Sequence, residues 1–315
     1  MLSSTFALAA LRWTSRRLHY SSHMQLFANA LIAGSLAALI AGGLALVYGV
    51  LGVFNLALGQ LALTGGYVTW WLHQVLDLPL FPSVIGGLIT GALMTWLTFE
   101  VFVNPFYKHH RFLPLVTTIA WSMILDGLIL LVFEERPRSI LPGLKKTFEI
   151  FGAHISVEQC VLIALTLIAL VVFAYVFHCT PFGRKLRAVV QHDTAALSLG
   201  INAPALHRFI FILSGIFAGA GGIFIGIDQN LSPTLAFSLT IKAYAAIIAG
   251  GKGNIWGAII CAYLIATLEQ LLVGIHWFGV FYVPAGYQQT VALLFIIIFL
   301  LCRPSGIFAA RARAA

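Results

Sequence analysis

From residue 18 to residue 107 the only formally charged side chains are Asp77 and Glu100. A soluble fold must solvate its surface, and about a quarter of its residues are charged for that reason. A stretch this poor in charge has no water-facing exterior to offer. Over the whole 315 residues 9% are charged and 60% hydrophobic, so lipid must wet most of the outside. A helix crossing a hydrocarbon core of about 30 Å needs about 20 apolar residues. Stretches of that kind lie at 28–50, 57–75, 83–103, 113–133, 157–178, 209–228, 235–250, 255–274 and 286–302. The stretch at 235–250 is short and carries Lys242, which makes it a candidate re-entrant or broken helix. The expected fold class is all-α, a polytopic bundle of about eight or nine membrane segments.

The remaining charges give an orientation. Lys108 and Arg111 follow the third span, and Arg184, Lys185, Arg187 and Arg208 follow the fifth. Lys252 follows the seventh, and Arg303, Arg311 and Arg313 follow the last. Two spans separate each set from the next, so all fall on one side, which the positive-inside rule makes cytoplasmic. The net charge of +8 is explained by these loops, and no nucleic-acid partner is inferred. The stretch 134–158, with four acids balanced by Arg136, Arg138, Lys145 and Lys146, reads as the largest external loop. Cys160, Cys179, Cys261 and Cys302 sit in or beside apolar segments and behave as small hydrophobes, so neither disulfide nor metal is inferred. His109, His110, His192 and His207 are expected to be solvated in the basic loops.

The first residues break the charge pattern, because Arg12, Arg16 and Arg17 precede a span whose start should be external. Met24 is therefore expected to be the natural start, with 1–23 an upstream extension, 24–305 one transmembrane domain and 306–315 a short basic cytoplasmic tail. Mass spectrometry of the native N-terminus tests this. No phosphate-binding loop of the Gly-x-x-x-x-Gly-Lys-Ser/Thr type is present. The expected chain is not an enzyme and holds no cofactor, and any nucleotide hydrolysis must come from another chain.

Four stretches depart from plain apolar helix. Tyr48 to Gln60 mixes glycines with Asn55 and Gln60. Irregular backbone survives at membrane depth only where it is buried in protein or lines a wet cavity. Asn55, Gly59 and Gln60 therefore either contact a polar solute or serve close helix packing. The segment 182–201 interleaves Arg184, Lys185, Arg187, Gln191, His192 and Asp193 with Leu186, Val189, Val190, Ala195, Ala196, Leu197 and Leu199, and Gly183 and Gly200 bracket it. It reads as an amphipathic helix pair that lies on the membrane or docks in a partner's groove. Gly215, Gly219, Gly222 and Gly226 read as a close-packing stripe. Gly250 to Gly257 reads as a tight hairpin. Charges within spans are functional candidates by default: Asp126 and Lys242, with Glu269, are the deepest, although Lys242 could equally snorkel or pair with an acid. Asn55, Gly59, Gln60, Asp126 and Lys242 are the residues expected along a solute pathway. Asp126, Lys242 and Glu269 could instead form the proton relay of an ion-coupled secondary transporter, the alternative reading.

Asn29 to Leu39, Tyr48 to Gln60, Phe182 to Val189, Ala196 to Asn202, Ser232 to Tyr244 and Ala249 to Ala258 together resemble the LivH-type permeases of branched-chain amino acid ABC importers. The resemblance covers nearly the whole chain from Met24. It implies a pore shared with a second, LivM-like permease, two ATPase subunits inside, and a periplasmic binding protein that delivers a small-molecule solute. It also implies that 183–201 engages the ATPase, through Gly183, Arg184, Arg187, Ala188, Asp193, Ala196, Gly200 and Ile201. Gln60, Lys252 and Asn254 depart from the common pattern. The expected solute is therefore a branched-chain amino acid or a related small polar molecule such as urea or an amide.

Overall fold

The computed structural model describes residues 2–107, 112–143, 147–150, 153–191, 193–251, 253–274 and isolated positions between 287 and 308, with side chains from Met24 onward except at 150, 178, 193–195, 273 and 274. Most of the expected span at 286–302 lies outside the described residues. So do Lys108, His109, His110, Arg111, Lys145, Lys146, His192, Lys252, Cys302, Arg303, Arg311 and Arg313.

Ten α-helices follow one another among the described residues. They are α1 (Leu2–Leu51), α2 (Leu58–Gln74), α3 (Leu80–Thr98), α4 (Leu113–Phe133), α5 (Val157–Cys179), α6 (Pro181–Gln191), α7 (Asp193–Ser198), α8 (Ala203–Asp228), α9 (Leu235–Gly250) and α10 (Ile255–Gly274). α3 runs on into a π-helical turn, Phe99–Val103. Between α4 and α5 an antiparallel hairpin pairs β1 (Thr147–Ile150) with β2 (Ala153–Ser156). Six segments are long and apolar enough to cross a membrane: Met24–Leu51, Leu80–Val103, Leu113–Phe133, Val157–Phe177, Ala203–Asp228 and Ile255–Leu272. α1 and α8 are largely buried at the centre, whereas α3, α4 and α5 expose most of their apolar surface.

The expected boundary at 209 moves back to Ala203. Asn202 caps α8 by accepting the Ala205 N–H at 3.1 Å, which satisfies one of the free N–H groups of a helix start. Two expectations change with it. Arg208 lies in the helix and pairs with Glu100 of the π-helical turn. His207 is 4% exposed and meets the Tyr107 ring edge-on, so it is buried rather than solvated.

The loops collect at two ends. At one, the Tyr107–His207 contact, the α5–α6 corner and the 251–254 turn come together, and the last lies beside Gly49 of α1. At the other, Gln25 bonds to the main chain of His154 in β2 and Gln74 bonds to Ile140. Arg138 exchanges main-chain bonds with Leu231 there, and Gln159 donates to Asp228 at 2.8 Å. The first is the basic end of the bundle and the second its hairpin end.

Glycine-to-backbone contacts build the centre. A Cβ on Gly222 would stand 1.8 Å from the Ala62 carbonyl oxygen. One on Gly215 would stand 2.5 Å from the Gly91 oxygen, and one on Gly65 would stand 3.0 Å from the Gly219 Cα. α2, α3 and α8 thus pack main chain to main chain, the use to which membrane helices put small residues. The stripe expected on α8 is this junction. The Gly250–Gly257 hairpin is also present, with Gly251 and Gly253 at φ +100 and +85, and Asn254 accepts the Gly257 N–H at 3.1 Å.

Two helices start inside the bundle. Gly59, in the first turn of α2, donates its N–H to Thr240 Oγ1 at 3.0 Å, near the start of α9. Gln74, at the hairpin end of α2, is about 22 Å further along the axis. The non-helical residues 52–57 and the segment leading into α9 therefore both reach mid-depth. There the N-terminus of α2 meets that of α9, which runs the opposite way.

Candidate functional site

The α1–α2 break is built locally. Gly52 takes φ +65, a conformation that costs a residue with a Cβ but not glycine, and ends α1. Asn55, fully buried, accepts the Ala57 N–H at 3.2 Å through Oδ1. Leu56 donates its N–H to Thr118 Oγ1 of α4 at 3.2 Å. The freed main chain is thus satisfied by side chains, as the membrane interior demands. Phe54 packs between Tyr48 and Tyr244, at ring distances of 4.7 and 5.4 Å.

The five residues expected to line one solute pathway fall in two places. At the first, Asn55, Gly59 and Gln60 join Asp126 of α4. Gln60, 1% exposed, donates Nε2 to Asp126 Oδ2 at 3.2 Å. Asn55 Nδ2, Gln60 Oε1 and Asp126 Oδ1 are buried atoms with no hydrogen-bond partner among the described residues. One amide donor, one amide acceptor and one carboxylate oxygen are thus left free at mid-depth, where an unmade hydrogen bond costs about 1–3 kcal/mol. Gly59 itself is closed off by Ala236 and Thr240 and serves packing.

Lys242 is elsewhere. Its Nζ lies 2.9 Å from Glu269 Oε2 of α10, on the side of α9 that faces α1, α8 and α10. The three charged groups considered for a proton relay are therefore not assembled: Asp126 is bonded to Gln60, and Lys242 and Glu269 are bonded to each other.

The 183–201 stretch forms α6 and α7, a hairpin of short helices at the basic end. Gly183 lets α6 turn tightly against α5, since a Cβ there would stand 1.9 Å from the Phe177 oxygen. Arg187 donates to that same oxygen, capping the end of α5. Leu186 and Val189 turn inward, whereas Arg184 and Lys185 point to solvent. Ala196 is 2% exposed and its carbonyl accepts from Leu199 and Ile201. Gly200 makes the turn at φ +78, Ala188 and Ile201 are half-buried, and Asp193 begins α7. Gly183, Ala196 and Gly200 thus shape the hairpin. Its outward apolar residues are Val190, Leu197 and Leu199, at 48, 50 and 78% exposure; they belong to the interleaved apolar set but not to the positions that the resemblance assigns to ATPase contact. Their offset from the charged residues was the available signal.

The sequence profile of the family described as branched-chain amino acid transport system, permease component, matches residues 26–301. The chain belongs to this family. Among relatives of this permease is the high-affinity branched-chain amino acid transport system permease protein LivH of Salmonella typhimurium. It is 27% identical over 299 residues, covering 90% of this chain and 94% of the relative. The probable branched-chain amino acid transport permease protein LivH of Methanocaldococcus jannaschii is 29% identical, covering 89% and 90%. The ribose import permease protein RbsC of Bacillus subtilis is 29% identical over 192 residues, covering 59% and 58%. The chain is accordingly a multi-pass membrane permease, of a family devoted to transport rather than catalysis.

Proposed function

We propose that this permease is one of two membrane subunits of an ABC importer for a branched-chain amino acid or a related small polar solute. The observation that carries the reading is the α6–α7 hairpin. It projects Arg184, Lys185, Leu197 and Leu199 away from the bundle while Gly183 and Arg187 fix it rigidly to α5. An exposed apolar and basic helix pair of this shape fits the groove of a soluble protein. In this reading two ATPases grip it, the basic end is cytoplasmic, and a periplasmic binding protein meets the hairpin end.

Asp126 supports the second permease. It is half-buried at mid-depth on α4, whose other outward residues, such as Met123 and Leu131, are 70% and 81% exposed. A carboxylate there is costly against lipid and faces protein or water. The α2–α4 face therefore borders the partner permease, and Asp126 offers the solute a polar contact along that seam, with Gln60 and Asn55 buried behind it. Relatives named for branched-chain amino acids and for ribose agree with a small polar solute and leave its class wide.

The test is Arg184→Glu with Leu199→Glu in the assembled complex in proteoliposomes. Uptake and solute-stimulated ATP hydrolysis should both fall by at least about tenfold, the loss expected when a docking hot spot is removed. Unchanged uptake would remove the hairpin from the coupling role. Ala196 is unsuitable for this purpose, because a charge there would break the hairpin from inside.

A further inference from the structure

A cavity of about 130 Å³ lies between α1, α8, α9 and α10, apart from both the α2–α4 site and the α6–α7 hairpin. The Lys242–Glu269 ion pair lines it, and Gln229 lines it as well. Gln229 is exposed at the hairpin end, so the cavity reaches from that surface to mid-depth. Most of the wall is apolar, with Leu36, Ile40 and Ile265 prominent, and Ser238 and Gln229 supply the other polar groups.

Glu269 is 6% exposed, and its Oε1 has no hydrogen-bond partner among the described residues. Its Oε2 is taken by Lys242. An ammonium carries three donors, and one contact to Oε2 does not exhaust them. The cavity thus offers a carboxylate acceptor and an ammonium donor side by side in a largely apolar wall.

Charge balance selects the ligand. A lone cation or anion beside this neutral pair would bring a net charge into the membrane interior, which is heavily penalised. A zwitterion brings none. Its ammonium can face Glu269 Oε1 while its carboxylate faces Lys242 Nζ, so that four charges alternate in sign. Size narrows the choice further, since a cavity near 130 Å³ accommodates about five or six heavy atoms. Glycine and alanine fall within that limit, and the branched-chain amino acids exceed it.

We propose that this cavity is a binding site for a zwitterionic amino acid of glycine or alanine size. The inference needs a membrane-embedded chain and does not depend on which partner drives transport.

The experiment is equilibrium binding of radiolabelled glycine to the purified full chain in lipid nanodiscs. Saturable binding is expected, displaced by alanine but not by leucine, acetate or methylammonium. Lys242→Met with Glu269→Leu removes both charges at once and so leaves neither unpaired. It should retain the melting temperature and weaken glycine binding by at least about tenfold, the loss of one charge-assisted contact. The exchanged pair, Lys242→Glu with Glu269→Lys, should recover binding, because the zwitterion can turn round. Leucine displacing glycine as well as alanine does, or full glycine binding by the uncharged double variant, would overturn the assignment. If ATP-driven uptake by the complex persists while glycine fails to bind, this site is wrong and the importer reading stands.

Discussion

Gly59→Ala tests the meeting of the two half-helices at mid-depth. The added Cβ would stand 2.0 Å from the Ala236 oxygen and 2.3 Å from Thr240 Oγ1, whereas ordinary contact begins at 3.4 Å. One helix must retreat by more than an ångström, and overpacking of this sort costs about 1–3 kcal/mol. The retreat also stretches the Gly59 N–H bond to Thr240, a further loss of about 1 kcal/mol. Alanine's better helix propensity returns at most about 1 kcal/mol, and less in a first turn. The net expectation is destabilisation by about 1–3 kcal/mol, read as a lower melting temperature in detergent and reduced uptake in proteoliposomes. Gly127→Ala is the control, because nothing lies within 4 Å of a Cβ there, and it should be neutral or stabilising. Adding Thr240→Ala to Gly59→Ala should restore only part of the loss, since the Ala236 oxygen still obstructs. If Gly59→Ala melts at or above the parent temperature, α2 does not start against α9.

Three further outcomes are expected. Gln60→Leu leaves the Asp126 carboxylate without its 3.2 Å donor and should cost about 1–3 kcal/mol in a denaturant titration, with a marked fall in uptake. Arg138→Ala removes a guanidinium held 4.7 Å over the Trp70 ring. It should lower stability by about 0.5–1 kcal/mol without changing the solute preference measured by competition. In a cysteine-free background, His154→Cys should react with an impermeant maleimide on intact cells and Leu199→Cys only after permeabilisation. The opposite pattern reverses the orientation.

Much of the bundle was legible because hydropathy is a local property. The spans, the Gly215–Gly226 stripe and the Gly250–Gly257 turn are each visible in a short window of sequence. What was not legible depends on other helices. Nothing near Lys242 announces Glu269 as its partner, and nothing near Gln60 announces Asp126, so one expected pathway became two sites. The mid-depth start of α9 was foreshadowed by the shortness of 235–250, but its contact with Gly59 is tertiary. The residues that the resemblance assigns to the 183–201 loop include Ala196, which is buried in the hairpin, whereas Leu199 of the same segment lies on its outer face. Amphipathicity shows that a helix has two faces but not which face a neighbour covers. His207 was misplaced for the same reason: its burial comes from the helical extension of α8 and from Tyr107.

α8 explains how a push at the hairpin could reach mid-depth. It begins directly after α7, joined by the Gly200 turn and the Asn202 cap. Arg208 then ties it to Glu100, Gly215 and Gly219 lie against α3 and α2, and Gly222 lies against Ala62. These are main-chain contacts without flexible side chains between, so displacing α8 along its axis carries the α2 half-helix with it. α5, on the other side of α6, exposes most of its length and grips the bundle less. Glycine at Ile212 and at Ile216, which do not belong to the buried core, should soften α8 between the loop and the junction at about 1 kcal/mol each. ATP hydrolysis by the complex should continue while solute moved per ATP falls. If that ratio is unchanged, the force travels through α5 instead, and the glycine junction is a static anchor.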